Sequence, residues 1–302
     1  MKKTMLGNTG LEVSRIGLGA MPFGMINSAN GWDPYTDGGR KIAFHTINVA
    51  LDTGINYIDV APSYGDGYAE TIIGEVMKIR RDEAVLASKF GWEGFYHPAG
   101  SMNKEAVIDS VEGSLSRLQT DHLDLIQIHG GVYDATDFEH IMNGGVLEAM
   151  KELKASGKVG HIGLTVEDPW TALDLIKTGE FEVVQLAYNI IYQSAALHVL
   201  EETSAGGIGV QTMRSLTGGI FQRELSFIAP EWQNARDINE VLLRFQLSDS
   251  RVHVANVGMR WASEVEKNNA VVDAWEPPFD FAGIARSTGG GYKIEDAEAL
   301  AK

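Results

Sequence analysis

No cysteine occurs among the 302 residues, which excludes disulfides, thiolate metal sites and a cysteine nucleophile and fits a reducing compartment such as the cytoplasm. No run of about 18 apolar residues is present, so a membrane-spanning helix is not expected. The opening MKKTMLGNTG is basic but has no apolar stretch behind it, so no signal peptide is expected either. Positive charge is scarce: 25 Lys and Arg stand against 41 Asp and Glu, a formal net charge of −16. Such a field repels nucleic-acid phosphates and acidic membrane surfaces, and neither is expected as a partner. An anionic cofactor stays possible, because a binding site answers to local groups and helix dipoles. The eight histidines show no metal-ligand spacing and no Ser-His-Asp pattern, so no metal site is expected.

What is present is a regular alternation. Short apolar, β-branched runs at 15–19, 57–60, 85–88, 123–128, 159–164, 183–186, 209–212 and 253–256 read as strands. Their starts lie on average about 34 residues apart, room for a strand, a helix and two loops. Amphipathic stretches fill the gaps, with stripes at Val107, Val111, Leu115 and Leu118 and at Ile238, Val241, Leu242 and Phe245. Gly157 and Gly179 read as helix stops. Eight such units predict a (β/α)8 TIM barrel, whose strands are buried on both faces. A doubly wound open sheet is the rival, but no Gly-x-Gly-x-x-Gly follows the first strand; Gly17, Gly19 and Gly24 are wrongly spaced. Residues 3–13 predict a short N-terminal β-hairpin turned at 8–10. Residues 1–302 read as one domain, with a loose tail from about 279 carrying Gly289, Gly290 and Gly291.

Four polar residues fall where a barrel builds its active site, the C-terminal rim. Asp59 closes the second strand in NYIDVAPSYG and Tyr64 follows it. Lys89 closes the third in VLASKFG, and His129 the fourth in LIQIHGG. Singly each has an ordinary reading: a loop tyrosine, a snorkelling lysine, a turn-capping acid, a satisfied rim histidine. Jointly they make chemistry. Asp59 and Lys89 on adjacent strands can neutralise each other, whereas either alone would be costly to bury. A phenol with an ordinary pKa of about 10 is a weak acid at neutral pH. An ammonium such as Lys89 is expected to lower that value and improve proton transfer. His129 can donate to a substrate oxygen as charge develops. The set protonates an oxygen but supplies no electrons, so reduction needs a hydride carrier such as nicotinamide.

These motifs resemble the aldo-keto reductases over nearly the whole chain, from LGNTGLEVSRIGLGAMPFG to NVGMRWASEVEKNN. The IDVAPSYG block, the SK dipeptide, the LIQIH strand and GKVGHIGLT follow the family's order and spacing. The resemblance implies a tetrad of Asp59, Tyr64, Lys89 and His129 in a barrel that needs no metal. It implies NADP(H) as the preferred cofactor, NAD(H) as a possible one, and a small carbonyl or sugar as substrate. The family's Ser-Asn pair for the nicotinamide carboxamide reads Thr165-Val166 here, so only a hydroxyl survives. Gln185 matches the glutamine that reaches the same carboxamide. Met213 stands where many members stack an aromatic ring on the nicotinamide. Arg214, Ser215, Leu216, Gly218 and Gly219 resemble the loop that wraps the pyrophosphate. Gly258, Arg260, Glu264 and Asn268 match the segment around the adenosine phosphate, and Met21 and Asp59 complete the cofactor set.

Phe23, Trp32, Trp92, Phe95 and Tyr96 fall in loops after the first and third strands. They read either as core aromatics or as an apolar, sugar-stacking substrate wall at the rim. Two other functions share the fold: a non-catalytic nicotinamide-binding regulatory module, as in potassium-channel β-subunits, and an oxidising sugar dehydrogenase. A barrel lyase or isomerase using Lys89 as a Schiff base is a further alternative.

Overall fold

The computed structural model describes residues 1–91, 103–228 and 238–273. Two short antiparallel strands, β1 (Lys3–Met5) and β2 (Glu12–Ser14), form the expected hairpin, with Lys3 opposite Ser14. Its turn uses left-handed Gly7 and Gly10, and the Thr9 hydroxyl donates to the Leu6 carbonyl. Eight parallel strands then close a barrel: β3 (Ile16–Gly19), β4 (Tyr57–Asp59), β5 (Val85–Phe90), β6 (Leu123–His129), β7 (Val159–Val166), β8 (Val183–Ala187), β9 (Gly209–Met213) and β10 (Val254–Gly258). They pair in chain order, and β10 closes on β3. Every strand read from the sequence is there, and the (β/α)8 barrel with its hairpin is the fold.

Helices α1 (Asp37–Asp52), α2 (Tyr68–Arg80), α3 (Lys104–Leu118), α4 (Ala135–Asn143), α5 (Val146–Ala155), α6 (Leu173–Lys177), α7 (Val199–Ala205), α8 (Ile220–Ile228), α9 (Ile238–Leu247) and α10 (Ala262–Asp273) occupy the connections. Their starts obey local chemistry. Thr36 and Asn103 accept the orphan amides of Gly39 and Ala106, and Asp134 with Asp137 makes a capping box on α4. Gly157 and Gly179, both left-handed, lie just past α5 and α6 as expected. The α3 stripe is buried at all four positions. The α9 stripe is rotated: Leu242, Leu243, Gln246 and Leu247 are its buried residues, while Val241 is only half-buried. Gln246 turns the helix, because its buried amide donates to the Ser215 carbonyl and accepts from the Thr212 hydroxyl.

The barrel interior is layered. Its floor is apolar: Leu6 and Val13 of the hairpin pack with Tyr57, Ala87, Leu125, Val183 and Val254. The Asn8 amide docks the hairpin on the Gly207 carbonyl at 2.8 Å. Above the floor the residues turn polar, with Asp59, Lys89, Gln127, Gln185 and Gln211 all buried. Gly17 and Gly19 make room for that layer. A Cβ on Gly17 would stand 2.9 Å from the Tyr57 ring and 3.3 Å from Asn256 Oδ1, and one on Gly19 3.2 Å from the same oxygen. Among the described residues no helix is long and apolar enough to cross a membrane. The expected tail lies outside the described residues.

Candidate active site

Parallel strands deliver their last side chains to one rim, and this sequence places Asp59 and His129 at the ends of β4 and β6 and Lys89 one residue before the end of β5 between them. Tyr64 joins them from the tight turn after β4, where Asp66, Gly65 and Gly67 are all left-handed. Gly24 lets the β3 loop lie against that turn; a Cβ there would sit 2.3 Å from the Tyr64 carbonyl. Lys89 Nζ is the hub. It donates to Asp59 Oδ2 at 2.7 Å, to the Val60 carbonyl at 3.0 Å and to the Tyr64 hydroxyl at 3.2 Å. His129 stands edge-on to the Tyr64 ring, with centroids 6.0 Å apart.

Burial alone would lower Lys89, but the Asp59 carboxylate and the Tyr64 oxygen outweigh it and hold the ammonium above its ordinary value. Its three donors are all engaged, so it has no free lone pair for a Schiff base. That disfavours the lyase reading. Burial, together with the nearby Lys89 charge, pushes His129 well below its ordinary value, so it is a neutral imidazole at neutral pH. Tyr64 departs from the sequence expectation. Desolvation raises it, Lys89 only partly offsets this, and Asp59 adds to the rise. The phenol therefore keeps its proton throughout the neutral range, because the cost of removing water exceeds the help from one ammonium.

Asp59 has further donors that no sequence motif announced. Asn256 Nδ2 reaches Oδ2 at 2.9 Å and Gln127 Nε2 reaches Oδ1 at 3.4 Å. Gln211 donates to Gln127 at 2.7 Å, and Gln185 donates to Gln211 at 3.2 Å. Strands β6 and β9 stand three apart around the barrel, so the Gln211–Gln127 bond crosses its interior. One signal could have found these residues: LIQIH, VVQLA and GVQTM each carry a single Gln inside an apolar strand.

The expected cofactor residues lie around the same rim. Thr165, one residue before the end of β7, is buried, but its hydroxyl donates to the Gly130 carbonyl and accepts from the Gly130 amide, both at 3.0 Å. Its proton is thus committed to the loop after β6 rather than held for a ligand. Gln185, opposite Thr165 in register, uses only its Nε2 within the described residues. After Met213 the chain turns sharply through left-handed Arg214, Thr217, Gly218 and Gly219. Buried Asn189 pins this turn by donating to the Arg214 carbonyl at 2.9 Å. The Arg214 guanidinium reaches across to Glu167, beyond β7, at 2.6 Å. Ser215 is buried beside Thr212, and Leu216 packs on the core. Asn189 and Glu167 were not legible from the sequence.

Past Gly258 at the end of β10, the Arg260 amide donates to Glu264 Oε2 at 2.6 Å, and the two side chains form an ion pair at 3.9 Å. Arg260 Nε and both amide atoms of Asn269 are buried with no partner among the described residues, and Asn268 is buried beside them in the chain. Met21 is half exposed in the turn after β3. Phe23 and Trp32 belong to the core, with 0% and 2% exposure. Trp32 donates to the Pro22 carbonyl and stacks edge-on with Trp261, so these two support the rim from beneath instead of forming an open wall. Trp92, Phe95 and Tyr96 lie outside the described residues. No cluster of acids and histidines able to hold a metal occurs among the described residues.

Comparison with known proteins bears on this arrangement. The profile of the Aldo/keto reductase family matches residues 15–282. L-galactose dehydrogenase of Arabidopsis thaliana is 29% identical over 90% of this chain and 88% of its own. An NADH-specific methylglyoxal reductase of Escherichia coli is 30% identical over 73% of this chain and 69% of its own. Among solved structures, an aldo/keto reductase of Klebsiella pneumoniae in complex with NADP and acetate has the same fold. It superposes with a TM-score of 0.70 over 95% of each chain at 24% identity. The chain belongs to the aldo/keto reductase family of NAD(P)H-dependent oxidoreductases.

Proposed function

We propose that this protein reduces an aldehyde or ketone, including a sugar-derived carbonyl, to the alcohol, with Tyr64 as proton donor. The observation that carries this is the Lys89 hub, which ties the Tyr64 hydroxyl to Asp59 beside a neutral His129. Polar side-chain atoms left without partners among the described residues fit a nicotinamide dinucleotide. Gln185 Oε1 suits its carboxamide, and Arg260 Nε and the Asn269 amide suit its adenosine end. Bound there, the reduced dinucleotide supplies the hydride. The protein's part is the proton. A carbonyl oxygen accepting from Tyr64 and from the imidazole N–H of His129 becomes a strong base as it gains electrons, and the proton moves from Tyr64 Oη to that oxygen. Lys89 then stabilises the phenolate left behind, and Asp59 keeps Lys89 in place.

NADPH is the preferred form, with measurable use of NADH. Arg260 brings a guanidinium suited to a 2′-phosphate. Glu264 opposes a phosphate, but its carboxylate is engaged as a cap on the Arg260 amide, which limits its reach. A panel of aldehydes, ketones and keto sugars, followed by loss of reduced-nicotinamide absorbance with each cofactor, tests the reading. Carbonyl reduction by the wild type, stronger with NADPH and more biased after Glu264→Gln, is expected. Cofactor binding without turnover on any carbonyl would support the regulatory-module reading instead. Turnover confined to sugar oxidation would favour the dehydrogenase direction, to which the likeness to L-galactose dehydrogenase gives some weight.

A further inference from the structure

The glutamine layer has a direction, and a single charge sets it. A carboxylate can only accept hydrogen bonds, and Asp59 accepts from Lys89 Nζ and Asn256 Nδ2 on Oδ2. Gln127 must therefore turn its Nε2 toward Asp59. Its Oε1 then faces Gln211, which must answer with Nε2, at 2.7 Å. The Gln211 Oε1 in turn faces Gln185, which answers with Nε2 at 3.2 Å. Each amide could be flipped in isolation, but any one flip would set carbonyl oxygen against oxygen or amide against amide in a dry interior. All three glutamines are buried, with 0%, 2% and 0% exposure for Gln127, Gln185 and Gln211. The far end of the relay is Gln185 Oε1, an acceptor that takes no donor from the described residues.

We infer that Gln127 and Gln211 are positioning residues. Through them Asp59 holds Gln185 in the one orientation that offers an oxygen to the ligand, and so selects a pyridine ring bearing an N–H donor, the carboxamide of nicotinamide. This rests on the nicotinamide reading given above. It matters more here because the neighbouring Thr165 has its proton committed to Gly130 and Val166 brings no amide at all. Gly163 is part of the device: a Cβ there would stand 3.3 Å from Gln127 Cγ and 2.5 Å from the Val183 carbonyl, crowding the relay from β7.

The test compares the natural dinucleotide with its 3-acetylpyridine analogue, in which a ketone replaces the carboxamide and no N–H donor remains. Dissociation constants for both are read by quenching of protein fluorescence, in the wild type, Gln211→Met and Gln127→Met. The wild type should prefer the carboxamide by about tenfold, the worth of one well-made hydrogen bond. In either variant Gln185 is free to flip and offer its amide to the ketone, so the preference should shrink toward unity. Two sites of substitution guard against one variant failing to fold. Gln211→Glu adds a signature that mere packing would not give. Protonated or ionised, its oxygens still accept from Gln185 Nε2, so the carboxamide preference should persist across pH where Gln211→Met loses it. Equal weakening of both dinucleotides in the Met variants, with the ratio unchanged, would overturn the relay. So would a wild type that binds the natural dinucleotide but does not discriminate. Failure of the wild type to bind either dinucleotide would instead remove the nicotinamide reading on which the relay rests.

Discussion

Tyr64 shows how a residue recognised for its chemistry can be tuned against expectation. An ammonium 3.2 Å away favours phenolate, yet desolvation wins and the phenol is raised. In the proposed reduction the consequence is a donor that stays loaded. With Tyr64 protonated and His129 neutral, reductive kcat/KM should be flat across the neutral range and fall only in alkali. Tyr64→Phe should retain fold and dinucleotide binding while losing about 10²–10⁴-fold in turnover, the usual worth of a positioned general acid. Steady-state rates beside a cofactor titration measure it, and near-normal turnover would end the proposed proton route. Lys89→Met removes the only group that favours phenolate and strands a buried carboxylate. We expect the alkaline limb of the pH profile to move up and stability to drop by about 3–5 kcal/mol. Asn256 and Gln127 still donate to Asp59, so a loss toward the lower end is anticipated. An unmoved pH profile would reduce Lys89 to a structural role.

Among the elements, the hairpin and the strand ends divide the labour. Strands β4, β5 and β6 project Asp59, Lys89 and His129, while the hairpin closes the opposite end with Leu6 and Val13. An open floor would let water reach the amide layer and compete for its bonds. Leu6→Ala should therefore destabilise by about 2–5 kcal/mol, the range for a fully buried leucine whose surroundings relax only in part. Denaturant unfolding gives the value, and kcat measured well below the melting temperature should stay near wild type. A loss under about 1 kcal/mol would mean that the hairpin is a decoration on a self-sufficient barrel. The turn after β9 works differently. Arg214 and Thr217 adopt left-handed conformations that cost energy in non-glycine residues, and Asn189 and Glu167 hold Arg214 there.

For the whole molecule, pH stability follows from buried imidazoles more than from the net charge of −16. His253 accepts the Val210 amide on Nδ1 at 3.0 Å, and burial, with Arg15 nearby, lowers it to about 4. The unfolded chain takes up a proton near the ordinary value of about 6.5, whereas the folded chain refuses it until about pH 4. Between those values the unfolded state binds more protons, so stability falls as pH falls, by about 3 kcal/mol at pH 4 from His253 alone. His129, also lowered, adds to the same slope. Thermal midpoints from pH 7 to pH 4 should drop steeply. In His253→Asn, which keeps an acceptor for Val210, the drop should be shallower. Parallel profiles would show that other groups govern the acid limb.

Strand positions, hairpin and rim tetrad were legible in the sequence because each depends on short-range rules. A β-branched run makes a strand, a repeat of strand and helix makes a barrel, and the last residue of a parallel strand must face one rim. Asp59, Lys89 and His129 lie at or beside the ends of their runs, so their convergence needed only the strand order. Other features depend on neighbours far away in the chain, and only the tertiary structure decided them. Phe23 and Trp32 became core rather than wall because the loop after β3 folds under Trp261, more than 200 residues later. The Thr165 hydroxyl is tied to Gly130, and α9 rotated to place Gln246 between Thr212 and Ser215. The direction of the Tyr64 shift and of the glutamine relay came from desolvation and from a charge three side chains away. Neither quantity exists until packing has excluded the water.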